Sequence, residues 1–446
     1  MLCRHAFVAL FQRKVSNFSF TNKIFVAKRV SLRQIVWLMN RSCFIIQILA
    51  FAAILSSCHK QQPNEVTALE QGKISGVIVA VNGYGQPIPS FTPADMAAAG
   101  FDYADLMEVT LGDTLVLHNV PYVSSFNEVA ILGPSYVDYN ARGDDYGFAM
   151  LNGDFHHYIG GNVGDSVTMK ISKKGGYRTT YDLMRSVYQT ERQAGETAEE
   201  YANFRMIATT GIASGVLYRS SNPLNCVNNA GRYSVADSLA RAVGIKTEID
   251  LADTPEKLAV YMASEGYASS YCPSLYANGQ TIACGMMANT FCDDFKTRLG
   301  AAARFIIAHE PPYLIHCNEG KDRCGFVSML LEALMGADVE ELRRDYMLTM
   351  INFYKIEDNG ESYQLRQSLS IDRMIWLMCN EEALQNYTAI DWNTIDVSNI
   401  DWAGLGFYQV NLQGPTLQNA AIKYLKECGL SDDEIQSLKE KLGKTE

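Results

Sequence analysis

Chemistry is concentrated in one stretch, Pro312-Tyr313-Leu314-Ile315-His316-Cys317-Asn318-Glu319-Gly320-Lys321-Asp322-Arg323-Cys324-Gly325, followed by the apolar run Phe326 to Met335. An apolar strand, a glycine-bearing loop and a helix N-terminus make a cradle whose amides and dipole attract an anion. Cys317 stands at its base, where the dipole, the amides and two nearby cations would lower the thiol pKa and supply a thiolate nucleophile. Arg323 can hold two phosphoryl oxygens with its planar fork, and Lys321 adds a point charge. A bare Cys-x5-Arg is a weak signal. The pair set among His316, Gly320, Lys321 and Gly325, between a strand and a helix, is a specific one. The chemistry these residues fit is displacement at phosphorus by sulfur, then by water.

The elements that must position this loop follow from the flanking pattern. Gly215 to Arg219 reads as a strand, Val235 to Val243 as an amphipathic helix and Gly244 to Leu251 as a strand. Strands alternating with helices predict a mostly parallel sheet, with functional groups gathered at the carboxyl ends of its strands. Residues 173–203 read as a helical connector, with Tyr181, Leu183, Met184, Val187 and Tyr188 at helical spacing. Residues 73–172 carry short apolar runs (Ile74 to Val81, Met107 to Leu111, Thr114 to Leu117, Glu128 to Leu132, Val167 to Ile171) between turn residues, which predicts a small all-β barrel or sandwich.

The loop resembles the P-loop of cysteine-dependent tyrosine and dual-specificity phosphatases, in the form His-Cys-x-x-Gly-Lys-Asp-Arg-x-Gly found in bacterial tyrosine/phosphoinositide phosphatases. The likeness extends through Asn203-Phe204-Arg205, Gly215 to Ser220, Gly244 to Thr247, Asp250-Leu251, Asp345 to Leu348 and the tail from Tyr424. It implies an α/β fold over residues 204–446, a mostly parallel sheet flanked by helices. It also implies a phosphocysteine intermediate on Cys317 that water hydrolyses, with no metal and no cofactor. Arg323 and the loop residues Asn318, Glu319, Gly320, Lys321, Cys324 and Gly325 would bind the phosphate, and His316 would support the nucleophile. In members with Gly-Lys-Asp-Arg the leaving-group acid is thought to be the loop aspartate, here Asp322. Asp293, Asp294, Asp250 and Asp253 are the other carboxylates in contention. Two positions depart from the family pattern. Ala252 follows Asp250-Leu251 where relatives often have Arg, and Cys324 stands where Thr or Ser usually donates to the nucleophile's sulfur. A thiol is a weaker donor, and one facing Cys317 suggests a reversible Cys317–Cys324 disulfide.

Of the 446 residues, 48% are apolar and 20% charged, a globular composition with room for two or three domains. The net charge of -11 hides eight Lys/Arg and no Asp or Glu in residues 1–57, leaving -11 - 8 = -19 for the rest. So acidic a body excludes a general nucleic-acid or polyanion binder. From Met39, a short basic start, the apolar run Cys43 to Leu55 and Leu55-Ser56-Ser57-Cys58 read as a secretory signal too short to span a membrane. Its end resembles the lipobox of bacterial lipoproteins, which implies lipidation of Cys58, export and anchorage in the bacterial cell envelope, with residues 58–72 as a linker. An exported protein can form disulfides, and Cys272, Cys284 and Cys292 lie close enough in sequence to include one. Zinc does not fit the spacings, and His156 and His157 read as surface or edge-strand residues.

The expected partners are therefore a phosphorylated protein or inositol phosphate and, through the lipid, a membrane. The β module weakly resembles the β-domain of SAM-dependent hydroxide adenosyltransferases through Asn82 to Gly85, Ala99 to Phe101 and Gly164 to Val167, and would be an accessory domain. Arg219 fits either an anion-orienting role or a buried ion pair, and the aromatics from Trp392 to Tyr408 either a rim or a core. The rival readings are a ligand-binding surface lipoprotein with an idle phosphatase domain and an arsenate-reductase-like enzyme, which would need accessory cysteines.

Overall fold

The computed structural model describes residues 71–443 apart from 126–134, 139–145, 151–153, 186–190, 228–230, 265–269, 381–387 and 402–413. The leader, Cys58, the run Glu128 to Leu132 and the aromatics Trp402 to Tyr408 lie outside the described residues.

Two sheets organise the chain. The first has seven strands: β1 (Lys73–Val81), β2 (Pro87–Pro89), β3 (Leu106–Leu111), β4 (Leu115–Val123), β5 (Ser135–Asp138), β6 (Tyr146–Ala149) and β7 (Ser166–Lys173), in the order β2-β1-β7-β3-β4-β5-β6. All neighbours are antiparallel except β4 and β5. The two outer strands curl toward each other, so a Cβ added at Gly147 of β6 would lie 2.8 Å from the Pro87 carbonyl oxygen of β2. The result is a nearly closed barrel, and closure of this kind leaves little exposed strand edge. Two short helices belong to it, α1 (Pro93–Ala98) and α2 (Phe155–Tyr158). His156 and His157 sit on α2, not on a strand, because Asp154 caps the turn by accepting from the His157 amide.

The barrel interior is not filled by its own strands alone. Trp376, Leu377, Trp392 and Val397, from far down the chain, complete the core around Ile78, Val109 and Met169. The Val116 amide of β4 donates to Asn393 Oδ1 at 2.8 Å. In the connector, α3 (Arg178–Met184) buries Tyr181 and Met184 against Val123 and Leu369, and α4 (Ala198–Ala202) opens on a Thr197/Glu200 capping box.

The second sheet has the order β11-β10-β12-β9-β8, with β8 (Arg205–Met206), β9 (Leu217–Ser220), β10 (Thr247–Asp250), β11 (Thr281–Ala283) and β12 (Tyr313–His316). Its strands are parallel apart from β8 at the edge. Every residue of β10 and β12 is buried, as expected of parallel strands covered on both faces. One face, carrying Leu314, packs on α4, α5 (Arg232–Val243), α6 (Pro255–Met262) and α7 (Tyr271–Ala277). The other, carrying Ile249, Tyr313 and Ile315, packs on α8 (Asp293–Ala308), α9 (Asp322–Leu334), α10 (Val339–Tyr354), α12 (Arg373–Cys379), α13 (Gly414–Glu427) and α14 (Asp432–Leu442); α11 (Glu361–Gln367) precedes α12. From Cys324 onward every residue of α9 is buried, which explains why it is apolar all round rather than striped.

This layering corrects the expected bridge among Cys272, Cys284 and Cys292. Cys272 lies on the α7 face, Cys284 and Cys292 belong to the opposite cluster, and all eight described cysteines are thiols.

Candidate active site

The loop between β12 and α9 stands at the carboxyl end of the central strand. Cys317 is the first residue past β12 and only 3% exposed. Three successive carbonyls beyond it are tied to the scaffold. The Asn318 oxygen accepts from the Asn222 amide at 3.2 Å, Glu319 oxygen from Asn203 Nδ2 at 3.0 Å, and Gly320 oxygen from Arg219 Nη2 at 2.7 Å. Across a planar trans peptide, carbonyl i and amide i+1 point in opposite directions. Fixing these three oxygens against the protein therefore turns the amides of Glu319, Gly320 and Lys321 the other way, into a nest for an anion. Gly320 is required for that path. Its φ is +74°, and a Cβ there would lie 2.5 Å from the Ser220 carbonyl oxygen.

Beneath the loop, Arg219 has no exposed surface. Its Nη1 pairs with Asp345 of α10, which also takes Arg205 Nε at 2.8 Å. Burial alone would raise the Asp345 pKa, but the two guanidiniums hold it down at about 2. Arg219 is thus the buried ion pair of its two sequence readings, and its other nitrogen supports the loop.

Arg323 follows Asp322 in the first turn of α9 and donates from Nη1 to the Met286 carbonyl at 3.0 Å. The backbone at Met286 thus borders the loop, and the next residue approaches the turn after β1, where a Cβ added at Gly83 would lie 3.6 Å from Met287 Cε. Asp322 is half exposed, with Lys321 Nζ 3.6 Å from Oδ2.

Residues 197–396 match the model of the tyrosine phosphatase family. No protein in the curated set matches the chain. The matched segment, 396 - 197 + 1 = 200 of 446 residues, contains the whole five-stranded sheet and the loop, and leaves the barrel strands and α13 and α14 outside. It supports phosphatase activity, a hydrolase reaction, for this mixed α/β part of the chain.

The other candidate acids are placed differently. Asp293 and Asp294 are exposed in the first turn of α8, and Asp294 pairs with Arg298 at 2.8 Å. Asp250 and Asp253 are buried. Asp250 Oδ1 accepts from the Ala252 and Asp253 amides, and Asp253 from Asn222 Nδ2 at 2.7 Å and the Tyr261 hydroxyl at 3.2 Å. Neither is directed at solvent.

Cys324 is buried under the loop as a free thiol, and its sulfur donates to the Ile315 carbonyl at 3.4 Å. Burial, with a smaller contribution from Cys317, pushes its thiol up to about 11 against the pull of Arg219 and Arg205. His316 lies between two carboxylates, Nε2 at 3.2 Å from Glu248 Oε1 and Nδ1 at 3.8 Å from Asp250 Oδ1, near enough to pair but off hydrogen-bond alignment. Burial opposes charge on His316, yet the neighbouring carboxylates raise its pKa. Burial likewise raises Asp250, to about 7.

Sequence reading missed Asn203 and Asn222 as loop anchors, and missed Glu248 as the partner of His316. Glu248 was open to discovery, since two carboxylates in Thr-Glu-Ile-Asp-Leu do not suit a parallel strand buried on both faces without a partner.

Proposed function

We propose that the chain hydrolyses phosphate monoesters through a phosphocysteine intermediate on Cys317. The anchoring of the Asn318, Glu319 and Gly320 carbonyls carries this reading, because it leaves three loop amides to surround an oxyanion beside a sulfur. The Cys317 thiolate attacks phosphorus and the P–O bond to the leaving group breaks. Asp322 gives that oxygen its proton, and Arg323 holds two of the remaining oxygens. Water then attacks phosphorus, the S–P bond breaks, the Asp322 carboxylate takes the water's proton, and phosphate and thiolate are regenerated. The substrates would be phosphotyrosine, phosphoinositides or inositol phosphates, presented to an enzyme exported and anchored in the bacterial cell envelope through lipidated Cys58.

The deciding experiment is a panel of phosphotyrosine peptide, phosphoinositides and phytate with wild type and Cys317→Ser. Phosphate release by the wild type that is lost in Cys317→Ser supports the reading, and no release from any substrate defeats it. Mass spectrometry of the mature N-terminus tests the anchor, for which an unmodified chain starting at Met1 is the adverse result.

A further inference from the structure

Glu319 puts a carboxylate into a loop whose task is to hold an anion. Two groups restrain it. The hydroxyl of Tyr354, the last residue of α10, donates to Glu319 Oε2, and Lys321 Nζ lies 3.9 Å from the same oxygen. The Lys321 ammonium also sits 5.1 Å from the centroid of the Tyr354 ring, a cation–π contact, and 3.6 Å from Asp322 Oδ2. Burial, reinforced by Glu319, holds the Tyr354 hydroxyl well above its ordinary pKa, so it stays a donor.

The acidic groups of the loop stand on one of its two cations. Glu319 Oε2 and Asp322 Oδ2 lie 3.9 Å and 3.6 Å from Lys321 Nζ, which leaves Arg323 as the cation facing a ligand. Below the loop, Arg205 and Arg219 pair with Asp345. What is left for a ligand is the amide nest, the α9 dipole and the Arg323 fork, which suit one phosphoryl group. Each further phosphate would bring about -1.5 to -2 charges toward Glu319, Asp322 and an acidic body.

We infer that Glu319 and Tyr354 form a specificity clamp, in which the Tyr354 hydroxyl fixes the Glu319 carboxylate beside Lys321 and commits the loop's second cation to the protein, so that the cleft selects singly phosphorylated substrates over polyphosphorylated ones. Tyr354 acts through Glu319 and is a positioning residue. The inference rests on the loop being a phosphate cradle.

The test compares kcat/KM for p-nitrophenyl phosphate and inositol hexakisphosphate in wild type, Cys317→Ser, Glu319→Gln, Tyr354→Phe and the double variant. The wild type is expected to prefer the monophosphate by about 100-fold. Glu319→Gln should move the ratio about tenfold toward the polyphosphate, a size fitting removal of one charge a few ångströms away. Tyr354→Phe should move it the same way by less, and the double variant no further than Glu319→Gln. Monophosphate turnover with an unshifted ratio in Glu319→Gln, or a wild type that prefers the polyphosphate, overturns the clamp alone. Cys317-dependent turnover of neither substrate overturns the phosphatase reading and the clamp with it. Should Tyr354→Phe fail to fold, Glu319→Gln decides.

Discussion

Arg219 donates from Nη2 to the Gly320 carbonyl at 2.7 Å, from a side chain with no exposed surface. The same guanidinium pairs with Asp345, so one buried charge pair sets the height of the loop. Such pairs contribute little net stability when intact, but breaking one leaves a charge without compensation.

Asp345→Asn should therefore destabilise the protein by about 3–5 kcal/mol at neutral pH, read as a lower urea midpoint. The pH dependence has a definite sign. Asp345 is depressed from 3.8 to about 2, so its contribution is present above about pH 4 and is lost as pH falls toward 2. The gap between wild type and variant should shrink over that window. A gap that stays constant from pH 7 to pH 2.5 would refute the assignment of the ion pair.

Gly320→Ala tests the loop path separately from its charges. The added methyl meets the Ser220 carbonyl at 2.5 Å and forces a non-glycine residue to φ +74°. A strained backbone of this kind costs about 1–3 kcal/mol. Inorganic phosphate should bind the variant about tenfold more weakly by calorimetry, with Arg323 untouched. Equal affinity would mean that the amides do not form the anion site.

The strand, loop and helix of this site were legible because an apolar run, a glycine and a second apolar run each obey a local rule. The partners of the loop were not. Asn203, Asn222 and Arg219 reach it from residues about 100 positions away, and nothing in their local spacing points to the carbonyls they hold. The barrel shows the same division. Long strands such as β1 and β7 stand out as apolar runs between turn residues, whereas three-residue β2 and four-residue β6 do not. The core share of Trp392 and Val397 depends on tertiary packing that no window of sequence contains. The partner of the Cys324 thiol, the Ile315 carbonyl nine residues earlier in the chain, was likewise beyond local reading.

The cluster behind the nucleophile gives a second pH signature, of opposite sign to that of Asp345. Asp250 is raised by burial from 3.8 to about 7, so its neutral form is favoured in the fold and stability falls as pH climbs from about 4 to 7. His316, raised above 6.5, contributes below its unfolded pKa and is lost as pH rises through its folded value. Asp250→Asn should remove the first dependence, giving a flatter profile of unfolding free energy between pH 4 and 7 than the wild type. If the two profiles run parallel, Asp250 does not titrate as its burial requires.

Asp322 differs from the buried carboxylates in being half exposed at the start of α9, next to the loop that carries Cys317. General acid catalysis matters in proportion to the basicity of the oxygen being released. Asp322→Asn should lower kcat/KM about 100-fold or more for alkyl phosphates, whose alkoxides are poor leaving groups, and far less for p-nitrophenyl phosphate. Equal losses on both substrate types in Asp322→Asn would instead return the acid role to Asp293 or Asp294, the exposed carboxylates at the start of α8.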